Sequence, residues 1–396
     1  MSVDARARGV LLGAYIAGLG VSITLAETAL VLLALRWLWR VGTGRARAGW
    51  PLAWPLAAFA AATLLAAALA QRPGESLVAA RKLLLLGSLW VVLDALPDAR
   101  AARRALAALV GVLGVVAVVG ILQVAFCAEL AAWQPVLGRV ARKCHRAHGF
   151  YSIYMTLGGV LTVVLLAALP SLLEARGRPR WVALSWLAGV VGLALTYVRG
   201  AWVGFGVGVL TLAGSLRHGR RLLIGGIVGL AVVLLLLPGV RDRARSIVDP
   251  ADPTSSERLL MWRSGLAMAR DHVVTGVGPG QSKRVYPDYA APQVIHKHRG
   301  HLHSTPLQIL VERGVLGLAA WLALFAAFFV RVVPLARRLV VAGDARHPLV
   351  SGAVAAVAGF LVAGLTEYNF GDTEVLLAAT FVMSLALVVD AEDRVD

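Results

Sequence analysis

"HSTPLQILVERGVLGLAAWLALFAAFFV", His303 to Val330, decides the fold of this chain. From Val315 to Val330 every residue is apolar or glycine, and only Gln308, Glu312 and Arg313 interrupt the apolar residues from Pro306 onward. Runs of roughly 18 or more apolar residues with few charges mark membrane spans. Comparable runs fall at 9–40, 51–70, 78–96, 104–126, 149–169, 180–198, 200–216, 221–238, 349–366 and 373–390. The first is too long for one crossing and reads as two helices broken around Gly18 and Gly20, which gives about twelve transmembrane helices. With 59% hydrophobic and 15% charged residues over 396 positions, a soluble bundle could not hide its apolar surface. The expectation is an all-α polytopic membrane protein, a single integral membrane domain over 1–396. The opening "MSVDARARGV" is short and basic. The run behind it contains Glu27 and lacks a small-residue cleavage site, so it reads as a first span rather than a removable signal peptide.

The formal net charge is +17. In a soluble protein that would suggest nucleic acid, but in a membrane protein Lys and Arg first set topology by collecting in cytoplasmic loops. With both termini inside, the cytoplasmic loops become "RVGTGRARAG", "PDARAARR", "EARGRPR", "RHGRR" and the segment 331–347, all short and basic. The outside then receives one large loop, 239–303. It also receives cations that topology does not explain: Arg72, Arg81, Lys82, Arg139, Arg142, Lys143, Arg146, Arg199, Arg258, Arg263, Lys297 and Arg299. Some of these read equally as interfacial anchors or solvated loop charge. As a cluster they point to a strongly anionic ligand such as a phosphate or pyrophosphate. Within the loop, "SSERLLMWRSGLAMARDH" is amphipathic. Leu259, Met261, Trp262, Leu266, Met268 and Ala269 form its apolar stripe, and Ser255 or Ser256 is placed to cap it. A helix on or near the membrane surface is expected, ended by the turn "VTGVGPGQ".

Four of the nine histidines, His296, His298, His301 and His303, stand before the His303–Val330 run. In "STPLQ", Thr305 reads as the N-cap, Pro306 as the first helical residue and Gln308 as the third, a capping box. The positive helix end disfavours an imidazolium at His303. A neutral imidazole there can accept a proton from a hydroxyl nucleophile, or simply help to cap the helix. Glu312, two turns on, needs a cationic partner at membrane depth, and Arg313 or an arginine of another helix can supply it. Arg199, in the short connection "TYVRGAWVG", is placed to grip a phosphate or to anchor beside Tyr197 and Trp202 in an aromatic belt. Glu367 and Asp372 in "EYNFGD" can contact cations or sugar hydroxyls, or belong to a plain polar turn. The two His-x-His pairs lack the mixed spacing of a zinc site, and no metal is expected. Cys127 and Cys144 flank one outer loop, where a disulfide is permitted.

"YVRGAW", "RLLMWRSGLAMARDHVVTGVGPG", "HLHSTPLQILVERGVLGL" and "EYNFGD", in this order, resemble the O-antigen ligase/polymerase family of bacterial membrane glycosyltransferases. The resemblance covers about a third of the chain, and Glu-x-Gly-x-x-Gly-Leu after the histidine is its most specific piece. Ser304 departs from it, since members often carry Asn there. The resemblance implies a GT-C-like, metal-independent, inverting enzyme of the bacterial inner membrane, without cofactor and without nucleic acid as partner. It would transfer a glycan from undecaprenyl pyrophosphate to an acceptor on the periplasmic face, within membrane lipid. His303 would be the base. Arg199, Arg142, Arg146, Arg258, Arg263 and Lys82 would hold the pyrophosphate, and His301, Glu312, Glu367 and Asp372 would support the acceptor side. Ligation to lipid A-core is expected ahead of O-antigen polymerisation and of transfer to protein. A lipid-linked oligosaccharide transporter would show repeated halves or broken helix pairs at mid-membrane, and neither is read here.

Overall fold

The computed structural model describes residues 3–45, 49–132, 138, 144–174, 179–213, 236, 238–247, 249, 252–291 and 300–394. No strand occurs among them. The chain runs through α1 (Val3–Val21), α2 (Ile23–Gly42), α3 (Ala53–Ala68), α4 (Pro73–Ala80) and, after a 3-10 turn at Arg81–Gly87, α5 (Ser88–Ala95). Then come α6 (Ala99–Ala125), α7 (Cys127–Ala132), α8 (Tyr154–Glu174), α9 (Arg180–Leu195) and α10 (Arg199–Ala213). Three shorter segments, α11 (Pro238–Arg245), α12 (Pro253–Asp271) and α13 (Ser282–Tyr289), precede α14 (Thr305–Ala342), α15 (His347–Gly364) and α16 (Thr373–Asp393).

Among the described residues, six segments are long and apolar enough to cross a membrane: Pro73–Ala95, Ala99–Ala125, Tyr154–Glu174, Thr305–Ala342, His347–Gly364 and Thr373–Asp393. Three shorter apolar helices, α3, α9 and α10, lie beside them. The chain is a polytopic helical membrane protein. The run 9–40 does break in two, at Ser22, whose side chain accepts from the Leu25 amide and starts α2. The run 221–238 lies almost wholly outside the described residues.

The central helices are α8, α15 and α16, buried on nearly every face. Close approach explains their composition. A Cβ added at Gly352 would lie 2.2 Å from Ala167 O, and one at Gly204 would lie 2.5 Å from Gly359 O. Small residues let helix backbones meet where lipid offers no hydrophobic drive between helices. Buried hydroxyls tie the helices further: Ser88 and Thr380 share a 2.7 Å hydrogen bond, and Tyr151 donates to Leu19 O at 2.7 Å.

The described parts of the basic loops read as cytoplasmic meet at one end of the bundle, and "RHGRR" lies outside the described residues. Arg36 bridges Asp4 and Asp94. The Ala99 amide donates to Glu392, Arg346 pairs with Asp344, and His347 meets Glu174. Around the opposite end gather His303, Glu367, Arg258, Arg199 and the Cys127–Cys144 disulfide.

Candidate functional site

The site begins at the start of α14. His303 sits at φ +47°, in the left-handed region, and turns the chain sharply into the helix. Ser304, not Thr305, is the N-cap, and its side chain caps nothing. The capping box expected one residue later does not form, because both of its hydroxyl and amide groups are used across the fold. Thr305 Oγ1 donates to Glu367 O (3.0 Å) and Asn369 Oδ1 (2.9 Å). Gln308 accepts from the Leu302 amide at 2.8 Å and donates to Ser282 Oγ and Glu312 Oε1. The "EYNFGD" turn is thereby fastened to the histidine loop.

That fastening places a carboxylate on the imidazole. Glu367 Oε2 lies 3.2 Å from His303 Nδ1, and Glu367 Oε1 accepts from Arg258 Nη2 at 2.6 Å. Burial opposes the charge on Glu367, but the hydrogen bond from His303 and the nearby Arg258 outweigh it and hold its pKa below the ordinary value. A carboxylate on Nδ1 selects the tautomer with its proton there, which leaves Nε2 as the acceptor.

Arginines gather beside this group. Arg199 Nη1 donates to Ser246 O (2.5 Å) and Oγ (3.1 Å). Its Nη2 donates to Asp252 Oδ1 (3.2 Å), Thr254 Oγ1 (2.8 Å) and Ser255 Oγ (3.0 Å). Asp252 is the side-chain N-cap of α12, and Arg258 is on that helix, so Arg199 fixes the helix that carries Arg258. Burial works against the Asp252 carboxylate. Hydrogen bonds from Thr254 and Ser255 and the charge of Arg199 outweigh it, and its pKa falls to about 2. Arg146 stacks over the Tyr154 ring at 4.4 Å. Arg146, Arg243, Tyr197 and Asp252 line an open cleft of about 440 Å³. Burial first, then the charges of Arg199 and Arg146, hold the Arg243 guanidinium below its ordinary value. Asp242 lines the same cleft and Arg243 Nη1 lies 3.8 Å from Asp252 Oδ2, so carboxylates partly balance the cations there.

Residues 183–322 match the family described as O-antigen ligase. The resemblance to the O-antigen ligase family is borne out. No curated protein matches the chain significantly. The matched segment contains Arg199, Arg258 and His303, whereas Glu367 lies beyond it.

The other residues expected in an O-antigen ligase site divide. His301 meets His303 edge to face, with ring centroids 4.3 Å apart and planes inclined by 69°. Lys82 donates to Gly371 O at 2.6 Å, on the turn that carries Glu367. Asp372 caps α16 through the Val375 amide and accepts from Thr156 Oγ1 at 2.5 Å. Arg263 is exposed, away from the face of α12 that carries Met261, Ser264 and Met268 into the protein. Arg142, with Arg139 and Lys143, lies outside the described residues, as do His296, His298, Lys297 and Arg299. Among the described residues, no three His, Cys, Asp or Glu side chains form a metal-binding group. Cys127 and Cys144 are joined as a disulfide.

Glu312 is engaged within the protein. It accepts from the Gly280 amide, Ser282, Gln308 and Arg313, and Arg313 also donates to Thr63. The reason is a break in α14. Gly314, at φ +61° and ψ −166°, interrupts the helix. The loop after α12 enters the gap: Val315 donates to Val273 O, and Val277 and Gly278 donate to Val311 O and Glu312 O. The apolar stripe expected along α12 divides between two faces. Met261, Met268 and Ala269 pack with Leu302, Val311 and Tyr286 of the protein itself, and Leu259 and Leu266 remain exposed.

Sequence reasoning missed Arg243. Its only signal was the charge run "RDRAR" just after the expected span at 221–238.

Proposed function

We propose that this protein is an O-antigen ligase. It transfers O-antigen glycan from undecaprenyl pyrophosphate to a sugar hydroxyl of lipid A-core. The single observation that carries the reading is the Arg258–Glu367–His303 chain beside the arginine cleft. Glu367 holds the Nδ1 proton, so Nε2 of His303 takes the proton of the acceptor hydroxyl. The acceptor oxygen attacks C1 of the first donor sugar while the C1–O bond to pyrophosphate breaks, and the anomeric centre inverts. Arg146, Arg243, Arg258 and Arg142 stabilise the charge growing on the leaving group, without a metal. Arg199 is engaged with protein acceptors, so a phosphate oxygen reaching it must displace Ser246 or the α12 cap. Its first part in the reaction is to hold α12 in place.

The reading includes a GT-C-like bundle of about twelve spans in the inner membrane, with 239–303 as its periplasmic loop and the site on that face. The disulfide at the same end supports this orientation, since disulfides persist in oxidising compartments. The test is the lipopolysaccharide profile of a host lacking the gene. Core without a ladder fits ligation. Core bearing a single repeat would make the protein a polymerase instead.

A further inference from the structure

At the arginine-rich end, remote from His303, a groove of about 840 Å³ opens between α6, α8, α9 and the turn joining α14 to α15. Its floor and wall are apolar: Leu106 and Val110 of α6 face Trp181 and Val182 of α9. The Trp181 ring lies against Gly111, where an added Cβ would come within 2.9 Å of it. The rest of the indole is open, with 48% of the residue exposed. At the rim stand Arg103 and Arg104.

The rim carboxylates already have cations. Asp344 accepts from Arg346 at 2.8 Å, and Glu174 meets His347 at 2.5 Å. Arg103 donates one bond, to Ala345 O at 3.2 Å, and no carboxylate among the described residues pairs with Arg103 or Arg104. The positive-inside rule accounts for arginines at this end. It does not account for their standing at the mouth of an apolar groove. From Arg103 to Val110 the helix rises about 10 Å at 1.5 Å per residue, room for a headgroup above and a stretch of acyl chain below.

We propose that this groove binds an anionic glycerophospholipid of the adjacent leaflet, with its phosphate on Arg103 and Arg104 and one acyl chain along the Leu106–Trp181 wall. A phosphate accepts from guanidinium forks, and a tryptophan at the headgroup boundary matches the amphipathic boundary it occupies. Basic pockets between spans select anionic headgroups by charge.

The test reconstitutes the full protein in phosphatidylcholine vesicles containing brominated phosphatidylglycerol or, at equal mole fraction, brominated phosphatidylcholine. The quenching lost in Trp181→Phe isolates Trp181. The expected result is preferential quenching by the anionic lipid, with a preference that falls about fivefold for each arginine removed. Arg104→Gln alone shows one such step, and it carries the test if the Arg103→Gln/Arg104→Gln pair does not fold. Equal quenching by the two brominated lipids, or a preference unchanged in Arg104→Gln, overturns the proposal. So does relief of quenching by polyprenyl phosphate at a lower mole fraction than by unlabelled phosphatidylglycerol.

Discussion

Replacing Glu367 by Gln isolates the carboxylate from its shape. In the protein, Glu367 accepts from Arg258 at 2.6 Å and lies 3.2 Å from His303 Nδ1, with side chains 19% and 15% exposed on its two partners. Removing the charge has two effects. It no longer stabilises the imidazolium that forms as His303 takes a proton, and the amide can turn either its NH₂ or its oxygen to Nδ1, so the productive tautomer is no longer enforced. A positioned general base contributes roughly a hundredfold to ten-thousandfold. Glu367→Gln is expected to lose most of that in turnover, with KM for the donor changing little. The variant also strands Arg258, and breaking a buried pair costs about 3–5 kcal/mol, reduced here by partial exposure, so melting temperature should fall as well. Arg258→Gln removes the same pair without touching Nδ1, so its melting temperature reads the stability effect, while its turnover also carries the loss of a charge at the leaving group. The pH dependence has a defined sign. The folded-state pKa of Glu367 lies below its ordinary 4.5, so its contribution to stability is complete above about that pH and is lost as pH falls through the lowered value. Glu367→Gln should flatten that acid limb. The assay is transfer by purified protein from lipid-linked glycan to lipid A-core. Wild-type turnover in Glu367→Gln, with the fold intact, would refute the proposed role.

Three further outcomes are expected. Arg199→Lys keeps the charge but cannot span Ser246 and the α12 cap together. It should lose about 2 kcal/mol of local stability, seen as faster proteolysis near 246–255, and transfer should fall. Unchanged proteolysis and transfer would show the fork to be dispensable. Gly314→Ala would put a Cβ 2.1 Å from Val274 O at a backbone conformation open essentially only to glycine, so both it and Gly314→Asn should melt lower by at least about 2 kcal/mol in thermal denaturation. Transfer should survive EDTA, and loss restored by one divalent ion would return the histidine loop to the metal reading.

The helices were legible because their signal is local. Apolar runs bounded by Arg, Pro and Gly located α15 and α16 to within three residues, and α6 and α8 to within five. The break in α14 was not, since the apolar pattern runs through Gly314 and the loop that fills the gap starts about forty residues earlier. His303 and Glu367 were each marked by local oddity, a histidine before a helix and a carboxylate in a short turn. Their pairing across 64 positions was not written in either segment. Arg199 shows the opposite failure. Its position was legible, but the acceptors that occupy it arrive from around 246–255, where no pattern announces them.

The most direct measurement is single-turnover transfer by His303→Ala alongside its equilibrium binding of the lipid-linked donor. The account predicts donor affinity within about twofold of wild type, since the arginine cleft is untouched, and a chemical step slowed by roughly a hundredfold to ten-thousandfold. A chemical step at the wild-type rate would contradict it.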